Sequence, residues 1–303
     1  MAPSSHNTQP WLFQVVDSRI RLYADRTRAL SVNDPDDREL VISCGCTLMN
    51  LRVGAAHEGF ATEVSIPVET DGGDPLAEVQ LTEEVDPDRS ELELFPSVQN
   101  RRTYRKKFDD RDVDDAVIEK LSTAATREGA EFHVVTGDAM RQQVIELIAE
   151  GDSSQWADPR WRRELAAWMH PRRKGDGLTI PGVIAPVART VVRTFDMGNG
   201  VAAKDSQPAE ESPVITIVST QNDDQKARLC AGQALERLLL TACANGLQAS
   251  CHNQPNQVPT LRSKLQNLLN IAGFPQILLR VGYATAEHLP PAPRRNLESV
   301  LCQ

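Results

Sequence analysis

Apolar and polar positions alternate in short runs at both ends of the chain and lose that regularity in between. Trp11 to Val16 (WLFQVV) and Arg19 to Tyr23 (RIRLY) are rich in aromatic and β-branched residues. The two-residue break Asp17-Ser18 between them predicts a β-hairpin. Cys44, Leu48, Leu51 and Ala55 then recur at i, i+4, i+7 and i+11, one face of a helix that stops at Gly59. Strand-like segments follow at Thr62 to Pro67 and Ala77 to Leu81, with the turn-forming ETDGGDPL between them. After Asn100 to Val113, an amphipathic pattern predicts a helix from Asp114 to Ala125, and Phe132 to Val135 reads as a strand. Regularity returns with the strand VITIVS (Val214 to Ser219), a long helix ending at Gly246 and the strand QILLRVGYA ending at Ala284.

The two regular stretches resemble each other. With an offset of 187 (232 − 45), Gly45 matches Gly232, Leu48 matches Leu235, Leu51 matches Leu238, Ala55 matches Ala242 and Gly59 matches Gly246. Each helix runs into a short extended segment. The pattern predicts an internal duplication: two similar halves, 1–95 and 96–303, fused in one chain as a pseudo-dimer. The expected fold class is α+β, mainly antiparallel sheets packed by helices.

Residues 151–212 break the alternation and read as an insertion in the second half. They hold Trp156, Trp161 and Trp168, three of the four tryptophans, with a basic HPRRKGDG and several prolines. Trp161, Leu165 and Trp168 at i, i+4 and i+7 favour a folded lid over a disordered linker.

Bulk properties narrow the partners. The 303 residues are 40% hydrophobic with a net charge of −9, which suits a globular protein with a sizeable core and argues against nucleic acid as a partner. No apolar run approaches the ~20 residues of a membrane span, and the first residues lack a signal peptide's pattern, so a cytoplasmic location is expected. Six scattered cysteines form no C-x-x-C pair, which disfavours both a disulfide framework and a metal site. The GNG at 198–200 lacks the spacing of a dinucleotide loop. Cys251-His252 is a poor nucleophilic pair, because neighbours on a strand point to opposite faces.

Three polar segments carry the candidate chemistry. SSHNTQPW (Ser4 to Trp11) supplies hydroxyls, amides and an imidazole; RRTYR (101–105) supplies a dense anion clamp; PPAPRRNL (290–297) adds Arg294 and Arg295 on a proline-stiffened tail. Guanidinium forks suit phosphate, and the amides of Asn7 and Gln9 suit the edge of a heteroaromatic ring. Together they describe a ligand with one anionic end and one polar ring.

With RRTYRKKF, PRRNL, YADRTRAL, ISCGCTLMNLR, AGQALERLLLTACANGLQAS and PQILLRVGYA, the octet resembles the nitroreductase superfamily of FMN flavoproteins, in particular its Acg-type actinobacterial branch, over nearly the whole chain. The resemblance implies one composite FMN site. Arg101, Arg102, Thr103, Arg105, Arg294 and Arg295 lie on the phosphate side, and Ser5, His6, Asn7, Gln9, Pro10 and Trp11 lie near the isoalloxazine and ribityl chain. A backbone amide near Asn253 faces the flavin N5. Members of the branch usually carry an N-terminal helix before this segment; here the chain begins at Met1, so either the start is misassigned or the first half is short of a core helix. It implies no catalytic side chain, no metal, a monomeric pseudo-dimer and NAD(P)H as electron donor for reduction of nitro or quinone compounds. The alternatives are a protein that sequesters FMN with little turnover, and a purely structural one.

Overall fold

The protein is described from a computed structural model covering residues 1–67, 74–171, 175–196, 212–285 and 289–302. In the first half the hairpin β1 (Trp11–Val16) and β2 (Arg19–Ala24) leads to helix α1 (Arg38–His57), then to β3 (Ala61–Ser65) and β4 (Ala77–Thr82), with short helices α2 (Arg89–Leu92) and α3 (Phe95–Asn100) behind. The second half contains α4 (Asp115–Arg127), β5 (Glu131–Val134), α5 (Asp138–Ala157), α6 (Pro159–Ala167), a two-residue parallel pair β6 (Met169–His170) and β7 (Leu178–Thr179), and α7 (Ala185–Thr194). It continues with β8 (Val214–Thr220), α8 (Gln225–Ala244), β9 (Leu247–Cys251), α9 (Gln254–Gln257), α10 (Pro259–Leu268) and β10 (Phe274–Tyr283).

Each half builds a four-stranded antiparallel sheet, in the orders β1-β2-β4-β3 and β5-β8-β10-β9. The topologies superimpose element by element: hairpin partners β1/β2 answer to β5/β8, α1 to α8, and β3/β4 to β9/β10. In the first half Asp17-Ser18 closes the hairpin, with Asp17 in the left-handed region (φ 53°) that such a turn requires. Everything between β5 and β8 takes the place of that turn. The inserted segment therefore begins before Gly151, the expected boundary, which falls inside α5. Gly151 sits in mid-helix, where a side chain has no room: a Cβ there would stand 2.8 Å from the Gln254 carbonyl carbon. Of the inserted sequence, Arg172, Arg173, Lys174, the GNG and Pro208 lie outside the described residues.

The halves meet along α1 and α8, whose closest approach is the matched glycine pair. A Cβ on Gly45 would run into the Leu229 carbonyl oxygen and lie 2.8 Å from Gly232 Cα; one on Gly232 would run into the Ile42 carbonyl and lie 2.7 Å from Gly45 Cα. Ile42 and Leu229 are themselves related by the offset of 187, so the contact is reciprocal. One apolar core passes through this crossing, from Trp11, Leu22 and Val79 of the first sheet through Leu48, Leu235 and Leu238 to Val218, Leu279 and Val281 of the second. The end of the chain returns to the first half: Phe13 N–H donates to Val300 O (2.7 Å) and Cys302 N–H to Phe13 O (2.8 Å), covering the β1 edge.

Gly45→Ala or Gly232→Ala should cost about 3 kcal/mol or more, since backbone must move away from backbone. Gly54→Ala on α1, which meets nothing within 4 Å, should be neutral or stabilising by up to about 1 kcal/mol. Urea unfolding of the three variants checks both.

Candidate functional site

The octet leaves the pattern of regular structure because its backbone is bent back on itself. Ser5–Asn7 forms a single 3-10 turn, and His6, Asn7 and Gln9 hold φ values of 51°, 55° and 52°. Non-glycine residues adopt that region at a cost, so the surroundings must hold it. The Ser4 hydroxyl accepts from Gln9 N–H (3.0 Å). The Asn7 amide donates to Pro293 O (3.1 Å) and accepts from Arg294 (2.6 Å). The Gln9 amide donates to Gly175 O (2.9 Å) and accepts from Arg295 N–H (3.0 Å). Pro10 accepts from the Cys44 thiol and Trp11 is buried in the core.

The structure thus divides the expected site residues. Asn7 and Gln9 spend their amides on the tail and on the Gly175-Asp176-Gly177 turn, so they position the site and present no free edge to a ring. Arg295 is likewise committed, to Gln9 O (2.9 Å), Asp25 (3.3 Å) and the Ser299 carbonyl. Its guanidinium braces octet against tail, whereas the sequence placed it on an anion.

The remaining arginines gather. Thr103 forms a single β-bridge to Ala249 on the edge of β9, and Tyr104, fully buried, donates its N–H to Ala249 O (2.9 Å), so RRTYR is fastened along the edge of the second sheet. Arg101 and Arg294 both donate to the Met1 carbonyl, at 2.6 and 2.9 Å. Burial, together with Arg101 nearby, pushes the Arg294 guanidinium down to about 10. Buried Glu236 stands against them, 3.7 Å from Arg101 Nε, and the Nε atoms of both arginines are buried without a hydrogen-bond partner. Arg102 donates to Leu289 O (3.2 Å), and Arg105 is exposed.

Ser5 and Asn253 meet on a residue that the sequence pattern did not flag. The Glu39 carboxylate accepts from Ser5 Oγ (2.5 Å), Asn253 Nδ2 (3.0 Å) and Gln257 Nε2 (2.9 and 3.0 Å). His6 lies in its field: burial pushes the imidazole down to about 4, with Glu39 opposing and Arg105 assisting. Burial, with Arg280 and Arg105, pushes His252 down to about 3, while Cys251 is exposed at the end of β9. Cys251 and His252 therefore form no thiolate–imidazolium pair. A charged residue at the head of the apolar run LVISC was the available signal for Glu39.

The insertion docks on this assembly. Glu164 accepts from the Val32 and Asn33 N–H groups (2.9 Å each), Trp161 Nε1 donates to Asn33 Oδ1 (2.8 Å), Asp176 pairs with Arg28, and the Arg28 guanidinium sits 5.3 Å from the centroid of the Trp168 ring. Gly177 N–H donates to Asn7 O (3.2 Å). Trp156 and Trp161 are buried in a small core with Ala166 and Val192.

The nitroreductase family model matches residues 98–283. The Mycobacterium tuberculosis protein named "Putative NAD(P)H nitroreductase Rv3131" is 32% identical over 312 aligned positions, covering 99% of this chain and 88% of its own. The one named "Putative NAD(P)H nitroreductase acg" from the same organism is 27% identical, covering 99% and 91%. Among solved structures, the FMN-dependent nitroreductase NfnB from Mycobacterium smegmatis, in complex with NADPH, superimposes with a TM-score of 0.46 at 14% identity over 68% of this chain and 96% of that one. The chain belongs to the nitroreductase family. No helix among the described residues is long and apolar enough to cross a membrane.

Two outcomes follow from this geometry. Glu164→Ala leaves two backbone donors without their acceptor, at about 1–3 kcal/mol, so hydrogen exchange should speed up at Val32, Asn33 and across α6 while β8 and β10 stay protected. The second outcome concerns pH. His252 titrates near 6.5 unfolded and about 3 folded, so the unfolded chain takes up the proton first, and stability is full above pH 6.5 and falls as pH drops toward 3, by about 1.4 kcal/mol per unit. His252→Gln should shrink the stability lost between pH 7 and pH 5 by about 2 kcal/mol, read from urea unfolding at the two pH values.

Proposed function

We propose that this chain is an NAD(P)H-dependent flavoprotein oxidoreductase that holds one FMN between its halves and reduces nitro or quinone compounds. The observation that carries the reading is the pairing of Arg101 with Arg294. Two guanidinium groups share one carbonyl, each with a buried Nε lacking a hydrogen-bond partner, and burial presses on the charge of Arg294. Such a cluster is incomplete without a further anion. The residues present fit a phosphate monoester at one end. The family's relatives named as NAD(P)H nitroreductases and the FMN-dependent neighbour support the choice of ligand.

In this reading Arg101, Arg102, Thr103 and Arg294 hold the phosphate, while Ser5, His6 and the backbone at Asn253 face the ring, with Arg105 lying toward His6 and Cys251. Asn7, Gln9, Pro10, Trp11 and Arg295 set the octet's shape. FMN, when bound, supplies the hydride chemistry. The protein binds and orients, and its insertion limits water around the ring. With His6 neutral at pH 7 and Cys251 protonated, neither side chain adds a charge there.

We read the matched halves as a fused pseudo-dimer. It has one RRTYR and one octet, so titration should saturate at one FMN per chain, and two equivalents would refute the asymmetry. Arg101→Ala and Arg294→Ala should each weaken FMN binding at least about tenfold, charge-assisted bonds being worth ~1.5–3 kcal/mol; unchanged affinity in both would refute the phosphate placement.

One observation favours a second reading, sequestration of FMN with little turnover. The insertion is fastened to the octet and to the 28–33 loop by several half-buried bonds. Anaerobic mixing with NADPH separates the two: bleaching of the flavin within the mixing experiment supports turnover. If wild type bleaches slowly and a chain with 159–171 replaced by a Gly/Ser linker bleaches fast, sequestration is supported.

A further inference from the structure

Glu39 is 3% exposed, yet it is a carboxylate surrounded by donors drawn from three separate parts of the chain. Ser5 reaches it from the octet, Asn253 and Gln257 from the far half, and Arg38 from the neighbouring position at 3.3 Å. Arg38 does not simply neutralise it, since that guanidinium also serves Gln276 O (2.7 Å), Gln276 Oε1 (3.2 Å) and Asn256 O (3.3 Å). Holding Ser5 and Asn253 in place needs only an acceptor, and a neutral amide could be one. A buried ion does the same work at a desolvation cost of several kcal/mol. The charge therefore has a use that geometry alone does not explain. It acts on His6 and on Cys251, so its field reaches across the site from the octet to the end of β9.

We propose that Glu39 is a positioning residue of the flavin site that fixes Ser5 against Asn253 and whose negative charge keeps the reduction potential of bound FMN low. The inference rests on the FMN reading above. Two-electron reduction adds negative charge to the ring, and a fixed anion in a weakly screened interior opposes it. Arg101 and Arg294 gather at the Met1 carbonyl, and Arg105 opposes Glu39 at His6 and Cys251, so removing the Glu39 charge would leave the field of these guanidinium groups at the ring unopposed. A flavin held at low potential passes its electrons more readily to weak acceptors.

The test measures oxidised-FMN affinity and midpoint potential for the full chain and three variants. Glu39→Gln keeps size and one acceptor; Gln257→Lys keeps Glu39 and sets a cation against it, which covers the case in which Glu39→Gln does not fold; Ser5→Ala removes one bond and no charge. Glu39→Gln and Gln257→Lys should favour reduced over oxidised FMN at least tenfold relative to wild type, about 30 mV upward for a two-electron couple. Ser5→Ala should weaken binding with the potential unmoved. A wild-type potential in a folded, FMN-bound Glu39→Gln or Gln257→Lys variant would overturn the role given to Glu39. Failure of the wild-type chain to take up FMN would instead overturn the flavin reading itself.

Discussion

Two helices can approach until their backbones touch only where neither carries a side chain, and Gly45 opposite Gly232 is that place. The sheets of both halves hang on this crossing, because α1 connects β2 to β3 and α8 connects β8 to β9. Side by side near it, Arg52 and Arg237 share Glu91 and Glu128 in a four-charge network, to which Gln233 and Ser90 add hydrogen bonds. Such a network contributes more to specifying one relative placement of the halves than to stability. The site inherits its geometry from that placement, since Ser5 belongs to one half and Asn253 and Gln257 to the other.

The octet is held from three directions at once. The tail reaches it through Arg294 and Arg295, the insertion through Gly175 and Gly177, and α1 through Glu39, on which Asn253 and Gln257 of the far half also converge. Left-handed residues at 6, 7 and 9 have no local reason to persist, so each restraint offsets part of their strain. The arrangement also gives the two glycines of the turn distinct reasons. Gly175 (φ 77°) lets the chain pass the Arg294 carbonyl, and Gly177 (φ 69°) lies against the Trp168 carbonyl and the His170 ring.

Much of this was legible in the chain. The hairpin, the matched helices and the strands of both halves announce themselves through period and punctuation, and the offset of 187 pointed directly to the glycine pair at the crossing. The start of α1 was hidden because Arg38–Met49 is buried on every side, which erases the amphipathic period. Helix α5 was not predicted, and the expected start of the insertion at Gly151 falls inside it, where the glycine admits the Gln254 backbone. In the site, residue types indicated where polar chemistry concentrates but not how it is spent: a sequence shows that Asn7, Gln9 and Arg295 have bonds to give, and only the fold shows that tail and turn have already taken them. Glu39 gained its meaning from partners more than 200 positions away, Asn253 and Gln257, and no local motif carries that.

The insertion leaves and re-enters the second sheet between adjacent strands, with Val135 N–H bonded to Ile215 O at 2.9 Å. Its two ends are thus clamped to each other by the ladder of β5 and β8. Its first helix is also rooted in the core, with Val144, Ile145 and Ile148 of α5 packed against Ile215, Ile217 and Leu278 of β8 and β10. The segment that reaches over the octet is thus built outward from the same sheet that carries the far half of the site, and a change in the packing of that sheet is passed to the octet and the 28–33 loop through the side chains and carbonyls the segment offers them.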